Sequence, residues 1–174
     1  MSRDTPTRDR VGAADASVKI REYDAERDAQ GLRACFVELQ EFERTLEPGL
    51  PAGAAVADAY LRWMLERCAT WDGAVFVAVV GEEVVGFVSV WGRVPQDELD
   101  EPPGEYAAVS DLVVRSAFRG RGLGRMLLVE AERYARTRGA ATLKIGVLTR
   151  NAGARRLYER VGFVEYRVQM TKRL

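Results

Sequence analysis

Arg119-Gly120-Arg121-Gly122-Leu123-Gly124-Arg125 joins an apolar run, Ala107 to Val114, to a helical pattern from Leu123 to Arg138. That order reads as strand, glycine turn and helix start. Alternating glycines let the backbone turn without a Cβ penalty, so successive N–H groups can converge on one anion, and the helix N-terminus adds roughly half a positive charge. Arg115, Arg119, Arg121 and Arg125 lie in and beside the turn, with no acid between Arg115 and Val129. Clustered guanidinium groups favour a phosphate or pyrophosphate over a carboxylate. The excess is local, because the whole chain carries 26 basic and 26 acidic residues. A solvated surface turn is the competing reading of the glycines alone.

Neither common nucleotide motif fits. A dinucleotide fingerprint puts its third glycine where Arg125 stands, and a P-loop needs Gly-Lys-Ser/Thr. The stretch resembles instead the acetyl-CoA signature of the Gcn5-related N-acetyltransferases (GNAT), Arg/Gln-x-x-Gly-x-Gly/Ala, on Arg119, Gly122 and Gly124. The second signature of that superfamily, an Asn followed by Tyr and then Gly-Phe, is matched by Asn151, Tyr158, Gly162 and Phe163. Two motifs in order are far more specific than one. With the layout below, the resemblance spans about residues 18 to 174. It implies an α/β fold with a mixed, mostly antiparallel central sheet flanked by helices, and acetyl-CoA as co-substrate.

At 174 residues with 47% hydrophobic content, the chain is long enough for one domain with a sizeable core. Residues 1–17 are polar and charged and are expected to form a disordered tail, leaving residues 18–174 as one N-acetyltransferase domain. No long apolar run or signal-peptide pattern is present, so the expected address is cytoplasmic. Cys35 and Cys68 then stay reduced and read as core residues. The absence of histidine removes Ser-His and Cys-His triads and the commonest zinc ligand, and no metal site is expected.

Val18 to Tyr23 alternates like a strand, and Asp24 is a candidate cap for a helix with Leu32, Cys35, Phe36, Leu39 and Phe42 on one side. Pro48-Gly49-Leu50-Pro51 breaks that helix, and a second carries Val56, Tyr60, Leu61, Met64, Leu65 and Cys68. Ala74 to Val80 and Val84 to Trp91 form a hairpin around Gly81-Glu82-Glu83. Val94 to Tyr106 is an acidic loop, read as solvated or as lining an acceptor site for a cationic amine. After the glycine turn and its helix, Thr142 to Leu148 is a fifth strand, Asn151 caps a helix closed by Gly162, and Phe163 to Met170 is a sixth strand.

Transfer to an amine needs a base for the ammonium and an acid for the departing thiolate. The resemblance gives Tyr158 the acid's role and Asn151 a hydrogen bond to the pantetheine arm. It makes the backbone of Leu112, Val113 and Val114 pair with pantetheine, and it assigns Arg119, Gly120, Arg121, Gly122, Leu123, Gly124 and Arg125 to the pyrophosphate. Some relatives carry Glu-Asp where Ser110-Asp111 stands here, so the base is open among Asp111, Glu105 and a water held by Ser110, with Asp111 favoured. Strict alternation would put Ser110 and Asp111 on opposite faces.

The sequence therefore predicts an acetyl-CoA-dependent N-acetyltransferase acting directly on a primary amine, with a small cationic amine favoured. A non-catalytic CoA sensor and a peptide or protein amine acetyltransferase are the alternatives. The expected partners are acetyl-CoA and an amine acceptor, with neither nucleic acid nor membrane, and a homodimer is left open.

Overall fold

A computed structural model gives the structure of residues 17–97 and 99–172. The expected disordered tail lies outside these residues, except for Ser17. The elements run β1 (Val18–Glu22), α1 (Ala25–Leu46), α2 (Gly53–Thr70), β2 (Ala74–Val80), β3 (Glu83–Pro95), β4 (Glu105–Val114), α3 (Leu123–Thr137), β5 (Leu143–Ile145) and α4 (Ala152–Arg160). The strands form one sheet in the order β1-β2-β3-β4-β5, antiparallel except for the parallel pair β4–β5.

β2 is apolar throughout because both of its faces are covered. Val75, Val77 and Val79 pack with Leu32, Phe36, Leu61 and Met64 of α1 and α2, whereas Ala74, Phe76 and Ala78 pack with Leu127, Leu128 and Ala131 of α3. The period of two therefore sorts one strand into two cores.

The entry to α1 is fixed by charge. Asp24 caps the helix by accepting from Glu26 N at 3.0 Å. Asp28, 1% exposed, accepts two bonds from the Arg21 guanidinium, at 2.6 and 2.8 Å, and a third from Asp24 N at 2.9 Å. The Arg21 hydrogen bond is the main cause holding the Asp28 carboxyl below its ordinary value. A depressed folded pKa gives stability that is present above the unfolded value, about 3.9, and is lost as pH falls through the folded value. Asp28→Ala is therefore expected to cost about 2–3 kcal/mol at neutral pH, since one partner of a largely buried pair is removed. Chemical denaturation from pH 7 down to pH 3 checks this: the wild type should lose stability on acidification, and the gap to the variant should narrow.

Two sequence expectations change at the C-terminal side. The fifth strand is three residues, Leu143–Ile145, rather than Thr142 to Leu148. The expected sixth strand is absent: no strand is present between Phe163 and Lys172, and Val164, Tyr166, Val168 and Met170 are exposed. Alternation gave that segment a strand pattern, but a strand also requires a paired backbone. In addition, β3 runs on to Pro95, which confines the acidic loop to residues 96–104.

Candidate active site

β4 and β5 pair only over Ala107–Val109 and Leu143–Ile145, and beyond that the two chains part. The opening is a cavity of about 190 Å³ between Val109, Ser110, Asp111 and Leu112 on one side and Ile145, Gly146, Val147 and Leu148 on the other. α1 closes it with Phe36, Leu39, Gln40 and Glu43, α2 with Tyr60, and α4 with its cap Asn151, Ala154 and Tyr158. A second hollow of about 200 Å³, near the end of α3, holds Glu132 and Arg136, with Gly162 and Phe163 of the second signature but none of the residues given a catalytic or cofactor role from sequence. Those two charges pair with each other at 2.7 Å, so the chemistry concentrates in the first cavity.

Ser110 and Asp111 both line this cavity, which corrects the expectation that they face apart. Ser89 pairs with Asp111 and Val90 with Val109, so Ser110 is the extra residue of a β-bulge. The bulge shifts the alternation by one: Val109 packs with α3, whereas Val113, four residues on, packs with α1 and α2. Asp111 is thereby turned towards α2. Its Oδ1 accepts from Tyr60 Oη at 2.9 Å and its Oδ2 from Ser110 Oγ at 2.8 Å. Burial is the main cause raising its pKa, and the two hydroxyls oppose the rise. Tyr60 is itself held in place by stacking on Phe36 at 4.5 Å.

Tyr158 is positioned by caps at both ends of α4. Asn151 Oδ1 accepts from Ala154 N at 3.1 Å at the start. At the end Gly162, with φ +100°, donates to Glu159 O at 3.1 Å, and Phe163 N donates to Tyr158 O at 3.0 Å. This is a Schellman cap, and it brings the Phe163 ring to 5.9 Å from that of Tyr158. The Asn, Tyr and Gly-Phe spacing read from the sequence is thus a doubly capped helix that aims one phenol. Tyr158 is 9% exposed, and its hydroxyl has no hydrogen-bond partner among the described residues. Burial, then the Glu43 and Asp111 charges, push its pKa up to about 12, so it stays protonated at neutral pH.

Glu43 is the residue that sequence reasoning missed. It is half-buried, it lines the cavity, and its carboxylate has no hydrogen-bond or ion-pair partner among the described residues. Burial and then the Asp111 charge raise its pKa. A signal was present: Glu43 follows Phe36 by seven residues and Leu39 by four, so it is an acid within the apolar stripe of α1. Glu105 does not line the cavity; it pairs with Arg93 at 2.7 Å, at the far end of the β3–β4 ladder. The described residues of the acidic loop likewise do not line this wall, and its Glu101 pairs with Lys144 and Arg167.

The glycine turn follows β4 through a short 3-10 turn at Ser116–Phe118. Gly120 and Gly122 have φ of +77° and +80°, and a Cβ at either would meet nothing within 4 Å. Gly124 has another reason: a Cβ there would come within 2.9 Å of Leu157 Cδ2, so it permits α3 and α4 to approach. The N–H groups of Leu123, Gly124 and Arg125 have no acceptor among the described residues, and no side chain caps the helix. The turn thus offers an open cradle of donors at a helix N-terminus, which fits a pyrophosphate. Arg119, Arg121 and Arg125 are exposed around it. Arg115 is not free for this work, because Glu38 and Glu83 pair with it.

Since Arg115 N donates to Val85 O, alternation points the Val113 amide to β3 and the Leu112 and Val114 amides to the side where β5 has parted. Of the three residues expected to pair with pantetheine, Leu112 and Val114 therefore have the available donors. Val114 O already accepts from Arg119 Nε at 2.9 Å. The Asn151 carboxamide nitrogen has no partner among the described residues and remains a free donor at the cavity.

Comparison with known proteins follows the same outline. The acetyltransferase (GNAT) family model matches residues 36–163. An uncharacterized N-acetyltransferase of Methanocaldococcus jannaschii is 32% identical over 124 residues, covering 66% of this chain and 50% of its own length. The thialysine N-epsilon-acetyltransferase of Caenorhabditis elegans is 33% identical over 142 residues, covering 78% of this chain and 77% of its own. The chain spans about half or less of the length of the Methanocaldococcus jannaschii protein and of two further curated relatives. Among solved structures, an aminoglycoside N-acetyltransferase in complex with CoA superposes with a TM-score of 0.65, covering 91% of this chain and 95% of its own. At 19% identity that likeness concerns the fold.

Proposed function

The chain belongs to the acetyltransferase (GNAT) family, and from that membership we propose that it moves an acetyl group from acetyl-CoA directly to a primary amine, a small cationic one. The observation that carries this reading is one cavity in which a protonated phenol, Tyr158, faces two carboxylates, Asp111 and Glu43, with no basic residue among the described residues of its wall. Residues 18–174 would act as a single catalytic domain.

Bound acetyl-CoA supplies an acetyl group on a thioester, whose C–S bond breaks as the new C–N bond forms. The free amides of Leu123, Gly124 and Arg125, with the nearby arginines, hold its phosphates. The Leu112 and Val114 amides and the Asn151 carboxamide serve its pantetheine arm. Asp111 takes the proton of the amine, and burial makes it a stronger base than an exposed carboxylate. Tyr158 holds at Oη the proton that the leaving sulfur receives. Direct transfer is favoured because Cys35 and Cys68 are buried and lie outside the cavity wall; burial pushes the Cys35 thiol up to about 12. Two free buried thiols also support a reducing, cytoplasmic setting.

The test is thiol release from acetyl-CoA with a panel of small amines, amino acids, peptides and a lysine-rich protein. Small cationic amines are expected to give turnover. Turnover with peptides or proteins alone would replace the acceptor class, and saturable acetyl-CoA binding without turnover on any amine would replace the enzyme by a CoA sensor.

A further inference from the structure

Resting on the acetyl-transfer reading, we propose that the acceptor is a diamine: Glu43 holds one ammonium group while the other end, facing Asp111, is acetylated. Two carboxylates from separate elements, α1 and β4, meet in one cavity of about 190 Å³. Like charges in so small and poorly solvated a space repel unless a proton or a cation lies between them. Among the described residues, no Lys or Arg lines the wall to supply that cation.

The two acids are differently employed. Both oxygens of Asp111 accept hydroxyl bonds, from Tyr60 and Ser110, which fixes its position beside β4. The Glu43 carboxylate accepts nothing from the described residues, so its side-chain oxygens are open to a ligand. A neutral or anionic acceptor would leave that carboxylate unpaired. A monoamine would satisfy one acid, and a dication satisfies both. The aromatic rings of Phe36, Tyr60 and Tyr158 complete the wall, and such faces favour ammonium groups and methylene chains over anions.

The experiment compares 1,3-diaminopropane, 1,4-diaminobutane and 1,5-diaminopentane with monoamines of matching length, using the full chain and Glu43→Gln. Glutamine keeps the size of the side chain, and Glu43 has no internal partner to lose. Wild-type kcat/KM for the best diamine is expected to exceed that for its monoamine by at least about tenfold, and the variant to bring that ratio towards one, mainly through KM. Calorimetry without acetyl-CoA gives a second readout on the wild type alone, in which the diamine should bind more tightly than the monoamine.

Amine turnover with equal use of both series, or equal calorimetric affinities, would overturn the diamine inference and leave acetyl transfer standing. An equal loss of kcat for both series in Glu43→Gln would also overturn it, since that is the mark of a base and not of a holder for a second charge. No turnover with any amine would remove the transferase reading and the inference together.

Discussion

Tyr158→Phe is expected to lower kcat by about 10² to 10⁴, the range of a positioned general acid, and to leave acetyl-CoA affinity nearly unchanged. The substitution removes one hydroxyl and keeps the ring that packs against Phe163. That hydroxyl has no hydrogen-bond partner among the described residues, so removing it breaks no internal bond and leaves no partner stranded. A purely structural role therefore predicts almost no change in stability or rate. Phenylalanine at this position should fold and melt like the wild type, and a rate loss with unchanged melting isolates proton donation. Steady-state kinetics with a working amine, beside a melting curve, make the measurement. Wild-type kcat at saturating substrates would end the assignment, and the leaving sulfur would then have to take its proton from water or from the incoming ammonium.

Gly122→Val is expected to abolish the stabilisation that acetyl-CoA gives. At a hundredfold excess over Kd, ligand binding raises wild-type stability by about 2.7 kcal/mol, a melting shift of several degrees for a chain of this size. Gly122 has φ +80°, a conformation that a β-branched residue adopts only at a cost of about 1–2 kcal/mol. No protein atom opposes the new side chain, since a Cβ there meets nothing within 4 Å. The damage therefore falls on the backbone angle that presents the Leu123, Gly124 and Arg125 amides, and on the space before them. The apo variant should melt only a few degrees below the wild type, whereas the ligand-induced shift should vanish. A full shift in the variant would mean that this turn does not hold the pyrophosphate.

Glu43 and Ser110 show why the site was only partly legible. Glu43 sits in an ordinary helix, and its sole local mark is an acid within an apolar stripe. What makes it part of the site is the docking of α1 across the gap between β4 and β5, at residues more than sixty positions away in sequence. Ser110 looked like an alternating strand residue. The bulge that turns Asp111 towards Tyr60 comes from the register of β3 against β4, which no periodicity within β4 reveals. The same reasoning explains Arg115, which read as part of an anion-binding cluster until Glu38 and Glu83 were brought against it.

The sequence by itself determined the features that depend on neighbours a few residues away. These are the glycine turn with its positive φ angles, the caps at Asn151 and Gly162 that aim Tyr158, and the period of two that divides β2 between two cores. Backbone sterics and short-range hydrogen bonds fix such features wherever the chain carries them. Only the tertiary structure decided which side chains share the cavity, that Phe163 to Met170 forms no strand, and that Glu105 and Glu101 pair with cations of their own chain. Those outcomes depend on strand pairing, on a one-residue slip of register and on helix docking, in which the partner of each group is chosen by distance in space rather than by distance along the chain.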